Sequence, residues 1–472
     1  MSKIFKYLSF FAVLGCVCVN SGCGTPAHTG DPAAATFPVV VFSDVHFNPY
    51  DNPALCPSLA AADVSAWPGL LEGPTTLPAW QQDTNYALLT LALTSIQQNL
   101  GKTPVVIFPG DMLGHGMAPY FYMYCEGMTP GQTPTAQQYA AMVAFTDKTA
   151  VFVMQQVRSY IGNVPVMFVV GNNDSYTGLG PDSVFLADNV SPYYTNFVNG
   201  TAADYPEFFN SFTAGGYYSA EPIGPSLKVI SLNSNLFATP SPGATTNPNA
   251  AYAELAWLDA SLGAAQTAGQ KVWLLMHVPP GADMVTSAGN YANNSTLTSA
   301  TAAMMWVPAY QASFLQILAK YPGMITLCIG AHTHRDEFRL MNAENVLQIP
   351  PSISPFFGND PAFKVYTVTD GTFVPTDYRS VNYDLATAPA GFSTYYTFSS
   401  AYSLQGQLDA SLEKLYPELG TDSAKRAFYM EHYNSGNNSG TWNPVTDANW
   451  PVFFCGMGNM SQTDFMECVN SN

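Results

Sequence analysis

Polar side chains that can bind metals follow several apolar runs in this sequence, and each run is typical of a buried strand. The clusters, in chain order, are Asp44 with His46, Asp111 with His115, Asn172 with Asn173 and Asp174, His277, and His332 with His334. In α/β folds the carboxyl ends of the strands form the edge at which ligands bind, so we expect these clusters to lie together. A single strand-end histidine is more often a hydrogen-bonded structural residue, but clusters at five strand ends indicate one shared site.

Imidazole nitrogens together with carboxylate and amide oxygens suit borderline divalent metals such as zinc. The sequence supplies enough of these ligands for a pair of ions. Two ions about 3.5–4 Å apart can clamp a phosphoryl group and lower the pKa of a water between them. The clusters therefore predict a dinuclear metal site that acts on phosphate esters.

Short β-rich runs alternate with helical stretches along the chain. The predicted strands are Pro38–Phe42, Pro104–Phe108, Val164–Val170, Leu227–Leu232, Val272–Met276, Met324–Ile329 and Phe363–Thr369. The predicted helices are Thr84–Asn99, Ala136–Tyr160, Tyr252–Leu262, Tyr310–Lys320 and Leu408–Tyr416. This alternation predicts an α/β fold with buried sheets. We expect the long connections 173–225 and 281–307 to form the rim of the site.

The motifs resemble those of the calcineurin-like metallophosphoesterases. The matching blocks are Ser43-Asp44-Val45-His46, Gly110-Asp111, Gly171-Asn172-Asn173-Asp174, His277 and Gly330-Ala331-His332-Thr333-His334. Three details are similar to the acid sphingomyelinase-like phosphodiesterases within that superfamily, namely His115 four residues after Asp111, the run His277–Gly281 and the run His332–Phe338. The resemblance covers residues 37–375 and implies an α/β fold of layered β-sandwich type flanked by helices. A smaller, mostly helical region is expected at 376–472.

The resemblance also implies a role for each ligand. One ion would be held by Asp44, His46, Asp111 and His334, and the other by Asp111, Asn172, His277 and His332. Asp111 would bridge the two ions, and a hydroxide between them would attack phosphorus in line. Zinc is the usual pair in this subfamily, while the ligand chemistry also allows iron or manganese.

Two positions depart from the family pattern. Ala331 stands where the family has glycine before the first of the two metal histidines, and both histidines remain. Asn173 stands where the family carries a catalytic histidine, and an amide cannot transfer a proton at a useful pKa. His115 is the residue available to replace it as the catalytic acid. The alternative is that His115 only supports the metal ligands from beside them. Asp174 is expected to orient a ring at position 173.

Composition excludes several functions. Lys and Arg total 15 against 33 Asp and Glu, a formal net charge of −18, so neither a nucleic-acid polymer nor a polybasic membrane contact is expected. We expect a monomer that acts on a small phosphodiester or nucleotide. No saposin-type domain fits between the leader and Asp44, and this makes sphingomyelin in a bilayer a weaker substrate hypothesis than a soluble diester. The alternatives are a phosphomonoesterase or nucleotidase, and a catalytically weakened binding protein on the same scaffold.

Residues 1–23 are typical of an export leader, because two lysines precede the apolar run Tyr7–Val19. The run is shorter than the roughly 20 residues of a membrane-spanning helix. The segment ending at Cys16 resembles a bacterial lipobox, and Cys23 is a poorer candidate for lipidation. A plain secretory signal is an equal alternative, so a secreted or cell-envelope location is expected, with membrane contact only through a lipid anchor.

Five cysteines follow the leader, and an odd number leaves at least one unpaired. Cys328 lies in an apolar run and is expected to be a buried thiol. Cys455 and Cys468 are close enough in the chain for a disulfide in the C-terminal tail. By elimination, Cys56 and Cys125 are the remaining candidate pair.

Overall fold

Two six-stranded sheets carry the strand ends at which the polar clusters were expected. The computed structural model describes residues 35–73, 76–198, 205–241, 246–437 and 444–472, so the predicted leader lies outside the described residues. The strands are β1 Thr36–Val41, β2 Val106–Phe108, β3 Val166–Phe168, β4 Tyr218–Ala220, β5 Leu227–Ser231, β6 Lys271–Leu275, β7 Ile325–Ile329, β8 Glu337–Leu340, β9 Val346–Ile349, β10 Ala362–Thr369, β11 Pro375–Asn382 and β12 Ser393–Thr397. The first sheet has the order β12-β11-β10-β1-β2-β3, and the second has the order β4-β5-β6-β7-β9-β8.

Helices surround these sheets. Their bounds are α1 Cys56–Ala61, α2 Trp67–Leu71, α3 Tyr86–Asn99, α4 Met117–Tyr124, α5 Ala136–Ile161, α6 Ser183–Tyr193, α7 Tyr205–Gly215, α8 Pro248–Ala268, α9 Met284–Asn294, α10 Pro308–Leu318, α11 Phe398–Tyr402, α12 Leu408–Thr421, α13 Ser423–His432, α14 Trp450–Gly458 and α15 Gln462–Ser471. Helix α5 begins with a capping box, in which the side chains of Thr135 and Gln138 satisfy each other's backbone N–H groups. The layered arrangement of sheets and helices confirms the predicted α/β fold class.

Alternation along β6 explains how one strand joins two cores. Trp273 and Leu275 belong to the cluster shared with the first sheet, whereas Val272 and Leu274 belong to the cluster on the other face. Successive side chains of a strand point to opposite faces, so an apolar run of this kind is buried on both sides. The sheets are also joined by hydrogen bonds, because Tyr218 and Ser231 both donate a hydroxyl to the carbonyl of Phe168.

Strands β1, β2 and β3 run parallel to each other, and so do β5, β6, β7 and β9. Each of the seven predicted strands is present with slightly different ends. The sequence prediction missed β4, β8, β9, β11 and β12, and it found only α12 among the C-terminal helices. The missed strands β11 and β12 extend the first sheet beyond β10, and β11 runs across residue 376. The domain boundary that the sequence predicts between residues 375 and 376 stays a prediction.

Both expected disulfides are present. Cys56 pairs with Cys125, and Cys455 pairs with Cys468, while Cys328 is a buried free thiol. The first bridge joins α1 to the residue that follows α4, and the second joins α14 to α15. Within the described residues, no helix is both long enough and apolar enough to cross a membrane.

We predict that replacing both Cys455 and Cys468 by serine lowers the free energy of unfolding by about 3 kcal/mol, because the bridge constrains a short loop of the unfolded chain. Urea denaturation measures the change. Cys328→Ala is the matched control, since it removes a buried thiol without removing a bridge. Equal stability of the double variant and the wild type would contradict the prediction.

Candidate metal centre

The predicted ligands lie at the carboxyl ends of five parallel strands. Asp44 and His46 follow β1, Asp111 follows β2, Asn172 follows β3, His277 follows β6, and His332 and His334 follow β7. Because both sheets contribute, the ligands meet where the two sheets come together. The connecting loops are hydrogen-bonded to each other, for example from the N–H of His46 to the carbonyl of Asp111 at 3.0 Å.

Asp44, His46 and His334 form the first cluster. Their ligand atoms lie within 4.8 Å of one another. The Nε2 atoms of His46 and His334 are 3.0 Å apart, and Asp44 Oδ1 lies 3.7 Å from His334 Nε2. Asp44 Oδ2 is buried and has no hydrogen-bond partner among the described residues. Two imidazole nitrogens and a carboxylate with an unused oxygen form a donor set that fits a divalent cation.

Asp111, His277 and His332 form the second cluster, again with ligand atoms within 4.8 Å of one another. Asn172 belongs beside it, because its Oδ1 lies 3.2 Å from His277 Nε2. Asp111 Oδ2 lies 3.3 Å from His277 Nε2 and 3.4 Å from His46 Nε2. The Asp111 carboxylate therefore faces both clusters.

Backbone carbonyls fix the orientation of two of these rings. The Nδ1 atom of His46 donates to the carbonyl of Leu113 at 3.1 Å, and that of His277 donates to the carbonyl of Pro109 at 2.9 Å. Each bond leaves Nε2 as the nitrogen that faces the cluster. Such partners set the tautomer of histidines that bind metals.

Burial and local charge adjust the protonation of the ligands. Burial lowers the pKa of His46 to about 4 and that of His332 to about 3, so both rings are neutral at pH 7, which is the form that binds metals. Burial by itself lowers the pKa of His277, but the charge and hydrogen bond of Asp111, the charge of Asp44 and the hydrogen bond to Pro109 together raise it to about 9. The second cluster thus stabilises a positive charge beside Asp111, and a bound cation would take the place of that proton.

Left-handed backbone conformations concentrate at this site. Asp44, His46, Asp111, His332 and His334 have φ between +44° and +74°, and they are five of the eleven such non-glycine residues in the described ranges. A side chain in this region costs on the order of 1–3 kcal/mol, so the surrounding structure must hold it there. Strain of this kind is typical of functional sites.

Asp174 supplies much of that support. Its carboxylate accepts backbone N–H groups from Asp111 at 3.0 Å, Met112 at 2.8 Å, Leu113 at 3.2 Å and Gly171 at 2.9 Å. Asn173 contacts the bridging candidate itself, because its backbone N–H donates to Asp111 Oδ1 at 2.8 Å and its Nδ2 donates to Asp111 Oδ2 at 2.9 Å. Both side chains are therefore engaged in placing the Asp111 carboxylate and its loop.

His115 lies at the rim of the first cluster. Its ring stacks on His46 with centroids 4.2 Å apart and on Phe356 with centroids 4.0 Å apart, and its side chain is 27% exposed. Asp83 accepts from its backbone N–H at 2.8 Å and pairs with Nδ1 at 2.9 Å. Burial by itself lowers the pKa of His115, but the hydrogen bond and charge of Asp83, together with the charges of Asp111 and Asp44, outweigh burial and raise the pKa.

Asp83 was not predicted from the sequence, since it lies in an irregular stretch with no motif around it. No role was predicted for Asp336, two residues beyond His334. Asp336 forms a buried ion pair with Lys364 of β10 at 2.6 Å and accepts from the hydroxyl of Tyr396 at 2.7 Å. This pair links the histidine loop to the first sheet.

A cleft of about 710 Å³ opens beside the second cluster, and Asn172 and His332 form part of its wall. The rest comes from Val278 and from residues within 178–179, 235–241, 246–248, 283–286 and 303–310. These include parts of both connections that were expected to form the rim. Among the described residues, the lining contains apolar side chains such as Leu236, Met304 and Tyr310, but no lysine or arginine.

Comparisons with known proteins agree with this geometry. Residues 37–336 match the family described as calcineurin-like phosphoesterase. Sphingomyelin phosphodiesterase B of Dictyostelium discoideum is 22% identical over 94% of this chain and 67% of its own length. Sphingomyelinase phosphodiesterase C of the same organism is 24% identical over 65% of this chain and 64% of its own length. A cyclic GMP-AMP phosphodiesterase of Mus musculus is 22% identical over 96% of each chain.

Two glycines allow the ligand loops to approach each other, which generates a prediction. A Cβ at Gly171 would overlap Oδ1 of Asp111, and one at Gly110 would lie 2.7 Å from His277 Nδ1. We predict that Gly171→Ala displaces the Asp111 carboxylate and lowers zinc affinity, as measured by competition with a chromogenic chelator. Gly289→Ala is the control, because a Cβ there meets nothing within 4 Å. Unchanged zinc affinity in Gly171→Ala would show that Asp111 is not a ligand.

Proposed function

Since the chain belongs to the calcineurin-like phosphoesterase family, we propose that it is an exported phosphodiesterase that uses a pair of divalent metal ions. The observation that carries this proposal is the position of Asp111 Oδ2, which lies 3.4 Å from His46 Nε2 and 3.3 Å from His277 Nε2. A carboxylate that faces two ligand clusters is the arrangement that a bridged pair of ions requires.

The two clusters divide the ligand roles. Asp44, His46 and His334 would hold one ion, Asn172, His277 and His332 would hold the other, and Asp111 would be shared. When bound, the ions would supply Lewis-acid charge to the phosphoryl oxygens and lower the pKa of water at the site. Zinc is the ion that we propose, because nitrogen-rich sets with carboxylates suit it, although iron and manganese accept the same donors.

The chain's own residues position these groups. Asn173 and Asp174, which the sequence analysis placed among the catalytic residues, are better described as positioning residues. Asn173 donates its backbone N–H and its side-chain amide to the two oxygens of Asp111, and Asp174 accepts four backbone N–H groups of the ligand loops. Neither side chain is free to transfer a proton to a leaving group.

His115 is the residue that we propose as the proton donor. Its Nδ1 is paired with Asp83, which leaves Nε2 on the opposite edge of a partly exposed ring beside His46. Asp83 raises its pKa and so favours the protonated ring, which is the form that a general acid requires.

The proposed substrate is a small phosphodiester. The named relatives act on sphingomyelin and cyclic GMP-AMP, and the bond common to both names is a phosphodiester. The cleft of about 710 Å³ falls within the range of about 300–1,000 Å³ that holds drug-sized ligands. Its wall, which is apolar and polar with Asp283 as its one described carboxylate, suits the organic part of such a diester. Two disulfides support an oxidising compartment outside the cytoplasm.

We predict that the purified protein hydrolyses bis(p-nitrophenyl) phosphate faster than p-nitrophenyl phosphate, because a diester places an organic group in the cleft. The protein should carry about two ions per chain. A chelator should abolish both activities and zinc should restore them.

Asp111→Asn should lose both ions together with activity. Asp259→Asn is the control, because Asp259 is a partly exposed residue that pairs with Lys320. A preference for the monoester would favour a phosphomonoesterase or nucleotidase. Two bound ions without hydrolysis of either ester would favour a binding protein.

We predict that His115→Ala slows esters with poor leaving groups by about 10²–10⁴-fold and nitrophenyl esters far less, because a good leaving group needs little protonation. Asp83→Asn leaves the His115 ring in place but removes the charge that raises the pKa of His115. The alkaline limb of the kcat–pH profile of this variant, measured on an ester with a poor leaving group, should therefore move to lower pH. Steady-state kcat between pH 5 and 9 measures both effects, and equal slowing of both esters by His115→Ala would rule out the acid role.

A further inference from the structure

A second, smaller cavity of about 200 Å³ shares His332 with the large cleft. Its wall includes Thr333 and Arg335, which follow His332 in the chain. Its volume is below the range of about 300–1,000 Å³ that holds drug-sized ligands, so it suits one compact group.

Arg335 is a buried cation with unused donors. The residue is 5% exposed, and its Nη2 donates to the carbonyl of Phe357 at 2.9 Å. Its Nε and Nη1 have no hydrogen-bond partner among the described residues, and no carboxylate there forms an ion pair with it. The buried hydroxyl of Thr333 also has no partner. Buried donors of this kind are rare in folded proteins and call for an acceptor.

The other charged groups in this wall are already paired. Arg339 donates to the carbonyl of Pro280 at 2.6 Å and lies 3.3 Å from Glu337. Glu337 also accepts from the hydroxyl of Tyr433 at 3.1 Å. Asp283 accepts from the backbone and hydroxyl of Thr286 at the start of α9. The Arg335 guanidinium thus remains the cation in this wall that lacks an anionic partner.

We propose that Arg335 and Thr333 bind a second phosphate group of the substrate, next to the phosphoryl group that is cleaved. A guanidinium matches the oxygens of phosphate with parallel hydrogen bonds. The described wall of the large cleft includes no lysine or arginine to receive such a group, whereas the smaller cavity, which shares His332, Asp283, Thr286 and Met305 with the cleft, has Arg335 in its wall. This inference rests on the proposed function and narrows it to diesters that carry an additional phosphate.

Two chromogenic diesters test the proposal. One is the p-nitrophenyl ester of thymidine 5′-phosphate, and the other is the same ester with an additional 3′-phosphate. The scissile bond and the leaving group are identical. For the wild type we expect kcat/KM to be about tenfold or more higher with the 3′-phosphate, since a hydrogen bond to a charged group strengthens binding by about that factor.

Arg335→Gln and Thr333→Val should each reduce this ratio, and Arg335→Gln should bring it close to one. Lys320→Gln is the matched control, because it removes one positive charge from an exposed site. No preference in the wild type, or an unchanged ratio in Arg335→Gln, would overturn the proposal. Equal loss on both esters would also overturn it, since Arg335 would then hold the phosphoryl group that is cleaved.

A binding measurement separates this proposal from the proposed function. Thymidine 3′,5′-bisphosphate should raise the Tm of the metal-loaded wild type more than thymidine 5′-phosphate does. The variants Thr333→Val and Arg335→Gln should no longer show this difference in Tm. If Arg335→Gln loses its metal ions, Arg335→Lys is measured in its place. A Tm difference without hydrolysis would support the phosphate site and refute the proposed phosphodiesterase activity. Hydrolysis without a Tm difference would support the phosphodiesterase activity and refute the phosphate site.

Discussion

The hydrogen bonds of the buried Asp174 carboxylate are the interaction on which the candidate metal centre depends. It binds backbone N–H groups of both the Asp111 loop and the Gly171 turn, and so it holds the ends of β2 and β3 in one fixed relation. Burial and the neighbouring charge of Asp111 raise the pKa of Asp174 to about 6, whereas the N–H groups of Gly171 and Met112 lower it. Two carboxylates can therefore be buried side by side, because backbone N–H groups stabilise the charge of Asp174 while His277 and His46 stabilise that of Asp111.

That anchoring explains how five ligand residues can remain in left-handed conformations. Each such residue costs free energy, and a loop on its own would relax to an extended or helical form. Here the loops are tied to each other, for example from the N–H of Ala331 to the carbonyl of His277 at 2.9 Å, and they emerge from strands that are buried on both faces. The sheets thus hold the ends of the loops in fixed positions, and the backbone strain is confined to the few residues that face the proposed ions.

The sequence predicted the site better than it predicted the whole fold. Apolar runs such as Val272–Met276 are buried on both faces and leave a clear signal, and the polar residues after them come together as expected. Strands β11 and β12 were missed because they are rich in Ser, Thr, Tyr and Asn and have no continuous apolar run. Asp83 left no signal, since its role depends on a contact with His115 that only the folded chain creates. The backbone N–H groups that Asp174 accepts were not predicted either, because a motif shows which residue is present but not which atoms it binds.

The order of the first sheet has a consequence for how the chain matures. Strand β1, which carries Asp44 and His46, pairs with β10 on one side and β2 on the other. Its partner β10 is made only after all the other ligand residues have been synthesised. Pairing between distant parts of a chain forms slowly, because loop closure must precede the contacts that stabilise it. The strand that carries Asp44 and His46 therefore gains its second neighbour only after the residues of every other candidate ligand have been made, so the first cluster needs nearly the whole family domain to be complete.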